Sequence, residues 1–250
     1  MKTTIIIPTH NRAKLVGHAI RSLLAQKQDF EPDILVIDDG STDDTAQVIA
    51  ALAAQHPEIR YIARENGGVA AARNTGLENL LEDTEFVTFL DSDDLSVPQR
   101  FALDLPLFYA DPDLDLTYGR MIVTENLDYQ ALAPTKNSKI INFVSIHLSS
   151  AIFRRRLFDR IGHFDESFTQ AEDTDLLFRI FETDTKFIQT KTVCHYYLRH
   201  VGNMSDNPAD VRKYFAKAIF ASVRRRRLDP KKRLVTPDFK VQHMEFTEFK

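Results

Sequence analysis

Phe86-Val87-Thr88-Phe89-Leu90 runs directly into Asp91-Ser92-Asp93-Asp94, so that an apolar stretch meets three carboxylates at one point of the chain. The apolar run reads as a buried strand that ends at the acidic quartet. Two unit charges ~4 Å apart repel by about 4 kcal/mol at an effective dielectric near 20, so three neighbouring carboxylates call for a compensating partner. A divalent cation is the usual one, because hard oxygen ligands suit Mg²⁺ or Mn²⁺ and the metal can also hold a diphosphate. A lone Asp-x-Asp is more often a solvated acidic turn. The flanking segments set this one apart.

Working outward, the first hundred residues alternate short apolar runs with helical patterns, as βαβ units on a parallel sheet do. Thr4 to Ile7 is the first strand. Asn11 is placed to cap a helix whose Leu15, Val16, Ala19, Ile20, Leu23 and Leu24 form one apolar stripe. Ile34 to Ile37 is a second strand running into Asp38-Asp39-Gly40. Ser41 then caps a helix carrying Val48, Ile49 and Leu52, with Asp44 as the partner that reaches back. Ile59 to Ala63 is a third strand, and Gly67-Gly68 leads into a helix through Leu81. After Pro98 the pattern loosens. It predicts helices over 100–109, 155–161 and 172–182, and strands over 115–124, 150–153 and 187–197. A final helix over 208–227 carries Val211, Tyr214, Phe215, Ala218, Ile219 and Val223 on one face, which could pack on a second subunit together with Phe239 to Phe249. Residues 125–145 are polar and irregular and predict a mobile loop beside a binding site.

The 250 residues can bury one sizeable core, and a net charge of −4 offers no general attraction to nucleic acid. Cys194 is the only cysteine, which excludes an internal disulfide and fits a reducing compartment. No apolar stretch approaches the ~18 residues of a membrane span. Ile5-Ile6-Ile7 is stopped by Pro8, unlike the core of a signal peptide. These features predict a cytoplasmic protein.

In open parallel sheets, ligands bind beyond the carboxyl ends of the strands, near the switch in strand order. Pro8-Thr9-His10-Asn11-Arg12, Asp38-Asp39-Gly40-Ser41 and Asp91-Ser92-Asp93-Asp94 all fall there. Asn66-Gly67-Gly68 and Ala72-Arg73-Asn74 add a flexible turn and a cation. A nucleoside diphosphate needs such a set: a carboxylate or amide for the base edge, hydroxyl contacts for ribose, a metal for the phosphates and a cation for leftover charge. The chain has neither a Walker loop nor a Gly-x-Gly-x-x-Gly fingerprint after its first strand.

The order and spacing of these segments resemble the family 2 glycosyltransferases with their GT-A fold. The resemblance covers residues 3 to about 205 and is carried by Ile5 to Arg12, Val36 to Asp43, Asn66-Gly67-Gly68, Ala71 to Gly76 and Phe89 to Asp94. Phe153-Arg154-Arg155, Ile161 to Asp165 and Glu172-Asp173-Thr174-Asp175-Leu176 continue it. It implies an α/β fold with a Rossmann-like nucleotide-binding sheet flanked by helices and a less regular acceptor-binding half. The expected division is a domain over 1–205, its nucleotide-sugar half 1–97 and acceptor half 98–205, followed by a C-terminal helix and basic tail over 206–250.

Carried over residue by residue, the resemblance implies that Asp39 holds the base with Thr9 beside it, within a nucleotide-sugar site that includes Pro8, Asn11, Arg12, Gly67 and Ser92. Arg73 would contact the base or diphosphate, Asp91 the ribose or sugar, and Asp93 the divalent metal, with Asp91 and His200 as further ligands and Asp94 placed to share either role. Asp173 would be the general base of an inverting transfer. Each has a plainer alternative: Thr9 and Ser41 as helix-start caps, Arg73 as a surface salt-bridge partner, Glu172-Asp173 as acids at a helix N-terminus, His200 as a loop histidine. The other seven histidines gain no role from spacing.

Arg224 to Arg227 with Lys231-Lys232-Arg233 place seven cations in ten residues. Such a run is either solvated or drawn to an anionic membrane, and no aromatic residues interleave it as nucleic-acid binding would require. With no tryptophan and no span, the chain lacks the marks of the family's processive membrane synthases, which predicts single-sugar transfer. The competing functions are a sugar-nucleotidyltransferase and an inactive nucleotide-sugar-binding protein. The glycosyl acceptor is expected to be a glycan or a lipid-linked hydroxyl compound.

Overall fold

A computed structural model describes residues 2–144, 146–200, 208–229, 232–235 and 245–249. Four parallel strands form its centre: β1 (Lys2–Thr9), β2 (Glu31–Asp39), β3 (Ile59–Arg64) and β4 (Thr84–Phe89). They lie in the order β3-β2-β1-β4, so β1 is flanked by the strand that follows it and by the strand that returns on its other side. That is the switch point of an open sheet. Both faces are covered, which explains the unbroken apolar runs. Ile5 and Ile7 face one core with α1 (Val16–Leu24), α2 (Thr45–Ala53) and α4 (Arg100–Ala110). Ile6 faces the other, against α3 (Val69–Glu78) and α6 (Glu172–Phe181).

Gly76 sets the depth of α3. A Cβ there would stand 2.5 Å from a side-chain carbon of Ile6, so only glycine lets this helix lie so close to β1. Beyond β4 the sheet turns mixed. A short β5 (Leu95–Ser96), β6 (Leu116–Thr124), β10 (Ala151–Arg154) and β11 (Phe187–Leu198) extend it, β10 running antiparallel between β4 and β6 while β11 lies parallel to β6. Helix α5 (Arg156–Ile161) links β10 to the segment leading into α6, and α7 (Pro208–Leu228) packs on α6.

Four sequence expectations are corrected. Asn11 caps no helix: its backbone is left-handed (φ 52°), α1 begins five residues later, and its side chain serves another loop. Ser41 and Asp44 form no capping box, because Ser41 Oγ is taken by the Asn11 amide and Asp44 makes no capping bond. The stretch over 125–145 is not one irregular loop. It holds the hairpin β7 (Leu127–Asp128) and β8 (Ala133–Pro134), then β9 (Lys139–Val144), which pairs with β6. Finally, α7 turns small Ala218 and Ser222 inward and leaves Val211, Phe215 and Ile219 exposed. Arg225 sets that rotation by reaching buried Asp175 and Glu182 at 2.7 and 2.8 Å. Of the segment Phe239 to Phe249, β12 (Glu245–Glu248) pairs with β9 of the same chain, and residues 239–244 lie outside the described residues.

Candidate active site

Three loops leave the carboxyl ends of β1, β2 and β4 and meet over the switch point. The first two are laced together by main chain and short side chains. Asn11 Oδ1 accepts the Thr42 amide at 2.8 Å, the Asn11 amide donates to Ser41 Oγ at 2.9 Å, and the Arg12 amide to Thr45 Oγ1 at 2.9 Å. Asp38 supports the turn, as expected, accepting the Ser41 amide at 2.9 Å and the Tyr61 hydroxyl at 2.8 Å. Burial and that bond push the Tyr61 phenol up to about 12. Gly40, with φ +76°, closes the turn where a Cβ would strike the Asn66 amide.

Buried Asp39 draws in the loop after β3. Its carboxylate accepts the amides of Gly67 at 3.0 Å and Gly68 at 2.7 Å, and pairs with Arg64. A carboxylate offers about four acceptor positions, so Oδ2 keeps one open. Thr9, buried at the end of β1, has a hydroxyl with no hydrogen-bond partner among the described residues. Pro8 is buried beside it, while Asn11 and Gly67 are exposed and Arg12 is half-buried.

The acidic quartet divides into two outward and two inward side chains. Asp93 Oδ2 lies 3.0 Å from His200 Nε2 and 3.7 Å from Arg12 Nε. Asp91 Oδ1 takes Arg73 at 3.0 Å, and its Oδ2 faces His147 Nε2 at 4.0 Å. Ser92 and Asp94 turn inward. Asp94 accepts the Leu198 amide at 2.9 Å and stands 3.9 Å from fully buried His195. Burial, with Asp91 and Asp93 nearby, holds Asp94 well above the usual carboxylate range, and burial holds His195 well below the usual imidazole range. Among the described residues no group of three His, Cys, Asp or Glu side chains is gathered closely enough to hold a metal. Among the described residues, Asp93 and His200 pair a carboxylate with an imidazole, donor types that would suit Mn²⁺ if a ligand supplied further oxygens. Val201 to Ser205, the rest of the histidine segment, lies outside the described residues.

On the far side, α6 begins at Glu172, with Asp173 half-buried and Glu172 buried. Glu172 pairs with Arg73, which is buried and is no surface residue. Burial acts to lower the Arg73 pKa, but Glu172, Asp91 and Asp173 outweigh it and hold it raised. Asp173 Oδ1 accepts the Thr174 amide at 2.6 Å and so keeps Oδ2 free of that bond. Sequence reasoning missed Glu172 as a separate partner and missed His147. The Glu-Asp pair itself signals the first, whereas nothing in the spacing singles out His147 from the other histidines.

The model of Glycosyl transferase family 2 matches residues 4–164, well over half of the chain. The chain belongs to this family. A second model, Glycosyltransferase like family 2, matches residues 109–222. The succinoglycan biosynthesis protein ExoW of Rhizobium meliloti is 32% identical over 203 residues, covering 71% of the chain and 62% of that protein. Escherichia coli chondroitin synthase is 28% identical over 218 residues, covering 84% of the chain and 31% of the relative. The chain thus spans less than two thirds of the length of the curated relatives it matches. Among solved structures, S. aureus TarS 1–349 in complex with UDP-GlcNAc superposes with a TM-score of 0.68 at 24% identity, covering 89% of this chain and 65% of that 1–349 chain. The mannosyltransferase PcManGT from Pyrobaculum calidifontis, in complex with GDP-Man and Mn²⁺, gives 0.66 at 21% identity, covering 89% and 64%. At such identities the likeness speaks for the fold, which is the GT-A fold the family resemblance implied. No helix among the described residues is long and apolar enough to cross a membrane.

Proposed function

We propose that the chain transfers one sugar, with inversion, from a nucleoside-diphosphate sugar to a hydroxyl of a glycan or lipid-linked acceptor. The observation that carries this is the meeting of the Asp39 loop, the Asp91–Asp93 turn and the Asp173 helix start over one switch point. TarS and PcManGT, crystallised with UDP-GlcNAc and GDP-Man, share the frame, and a UDP-sugar is the favoured donor.

In this reading the open position of Asp39 Oδ2 accepts from the base edge, with Thr9 and Pro8 beside it. Asn11, Arg12 and Gly67 surround the nucleotide, whereas Ser92 is turned inward and buried, and Asp91 Oδ2 reaches the ribose or sugar. Asp93 and His200, with Asp91 adjacent, would hold a divalent cation, which when bound neutralises charge on the leaving diphosphate. Asp173 takes the acceptor hydroxyl's proton as that oxygen attacks the anomeric carbon from the face opposite the leaving group. The cations at the end of α7 are proposed to rest on an anionic membrane. Arg225 is withdrawn from that run by its internal pairs, and Lys231 lies outside the described residues.

The test is release of nucleotide from a panel of UDP- and GDP-sugars with Mn²⁺. Turnover that EDTA abolishes is expected. Tight nucleotide binding with no turnover, acceptors supplied, would favour an inactive binding protein instead.

A further inference from the structure

The geometry points to Arg73 as a positioning residue that locks the start of α6 to the acidic turn after β4 through Glu172 and Asp91, and not as a group that touches the nucleotide. The inference rests on the glycosyl-transfer reading and departs from the nucleotide contact that family resemblance implies for this arginine.

Arg73 is 5% exposed, and its guanidinium is divided between two partners. One terminal nitrogen pairs with Glu172, itself 5% exposed, and the other donates to Asp91 Oδ1 at 3.0 Å. Nε is buried and donates to no described group, so every nitrogen of the fork is either paired or enclosed. The plane lies near the Phe164 ring, 5.7 Å from its centroid, which closes another approach. A fork oriented this way presents nothing to a nucleotide on the loops of β1 and β2.

The next residue repeats the device. Asn74 Nδ2 donates to the Phe164 carbonyl at 3.0 Å and to Glu166 at 2.8 Å, and Asn74 Oδ1 accepts the Phe164 amide at 2.8 Å. Arg73 and Asn74 thus fasten α3 to both ends of the segment leading into α6. Glu172 and Asp173 are adjacent on the first turn of α6, about 100° apart around its axis, so anchoring one orients the other. Asp91 lies two residues from Asp93. A single buried cation therefore joins the side chain proposed to take the proton to the turn proposed to hold the diphosphate. Misplacement of about 1 Å can cost on the order of 10²-fold in rate.

The test uses the full chain and four proteins: wild type, Arg73→Lys, Glu172→Gln and the double variant. UDP affinity is read by calorimetry with Mn²⁺, and kcat by donor hydrolysis with water as acceptor. Expected are UDP affinities within about 3-fold of wild type, kcat lowered by about 10²-fold in each single variant, and a double variant no worse than about 3-fold below the lower single, because the two changes break one link. Glu172→Gln keeps shape and removes only the charge, so it reports even where Arg73→Lys fails to fold. A Glu172→Gln enzyme with near-normal kcat overturns the proposal. So does a loss of UDP affinity of about 10-fold or more in Arg73→Lys alone, which would return the arginine to the nucleotide. A wild type that turns over no donor, with glycan and lipid-linked acceptors supplied as well as water, defeats the glycosyl-transfer reading itself, and this inference with it.

Discussion

Asp173 and Asp93 are both half-buried carboxylates at the same rim, and different work is proposed for them because their surroundings differ. Asp173 sits at a helix start with only the Thr174 main chain and hydroxyl on Oδ1, whereas Asp93 faces an imidazole and a guanidinium. Asp173→Asn should leave UDP affinity intact and lower turnover by about 10²- to 10⁴-fold, the range for loss of a general base. Normal turnover would remove that role. Asp93→Ala should abolish the Mn²⁺ dependence of UDP binding in calorimetry. Cys194 offers a check on burial alone. Enclosure pushes its thiol up to about 12 despite Arg100 nearby, so iodoacetamide at pH 8 should label it only after denaturation. His147 shows where sequence stopped: it reaches Asp91 because the chain after β9 crosses the rim, a fact no local pattern contains.

At the scale of elements, α3 and α7 illustrate two ways a helix is set. The tight seat of α3 depends on Gly76, and Gly76→Ala should destabilise by about 1–3 kcal/mol through overpacking against Ile6, read from urea midpoints. For α7 an ion pair decides. Asp175 and Glu182 are almost fully buried, so Arg225→Ala strips Glu182 of its cation and leaves Asp175 with Arg179 alone, and should lower stability by about 3 kcal/mol. Apolar stripes and runs found α7 and every central strand, and Gly67-Gly68 marked the start of α3, because burial of one stripe or of both strand faces is written locally. The same patterning grouped Ala218 with Phe215 and Ile219 on one face of α7, whereas Ala218 turns inward and the two larger side chains stay exposed, a division that follows from the partners of Arg225. It missed β9, which lies between β6 and β12 but carries no strong alternation.

Across the whole molecule, the exposed side of α7 brings Phe215, Ile219, Phe220 and Leu228 together with Arg224 and Arg227. Each cation near an anionic surface contributes roughly 1 kcal/mol. Flotation with anionic liposomes should recover the chain, neutral liposomes should not, and 0.5 M salt should release it; equal recovery from both lipids would end the membrane proposal.

What the linear chain determined by itself was the sheet and its rim. Apolar runs buried on both faces, each ending in Pro8-Thr9, Asp38-Asp39 or Asp91, specify parallel strands and the end where polar groups gather, since both follow from burial of adjacent residues. Tertiary structure alone decided how that rim is wired: that Asp39 spends most of its lone pairs on Gly67, Gly68 and Arg64, that Asp94 turns inward, and that Arg73 belongs to Glu172, ninety-nine residues away. Ion-pair partners depend on which loops meet in space, and a charge in a sequence does not name the one it will face.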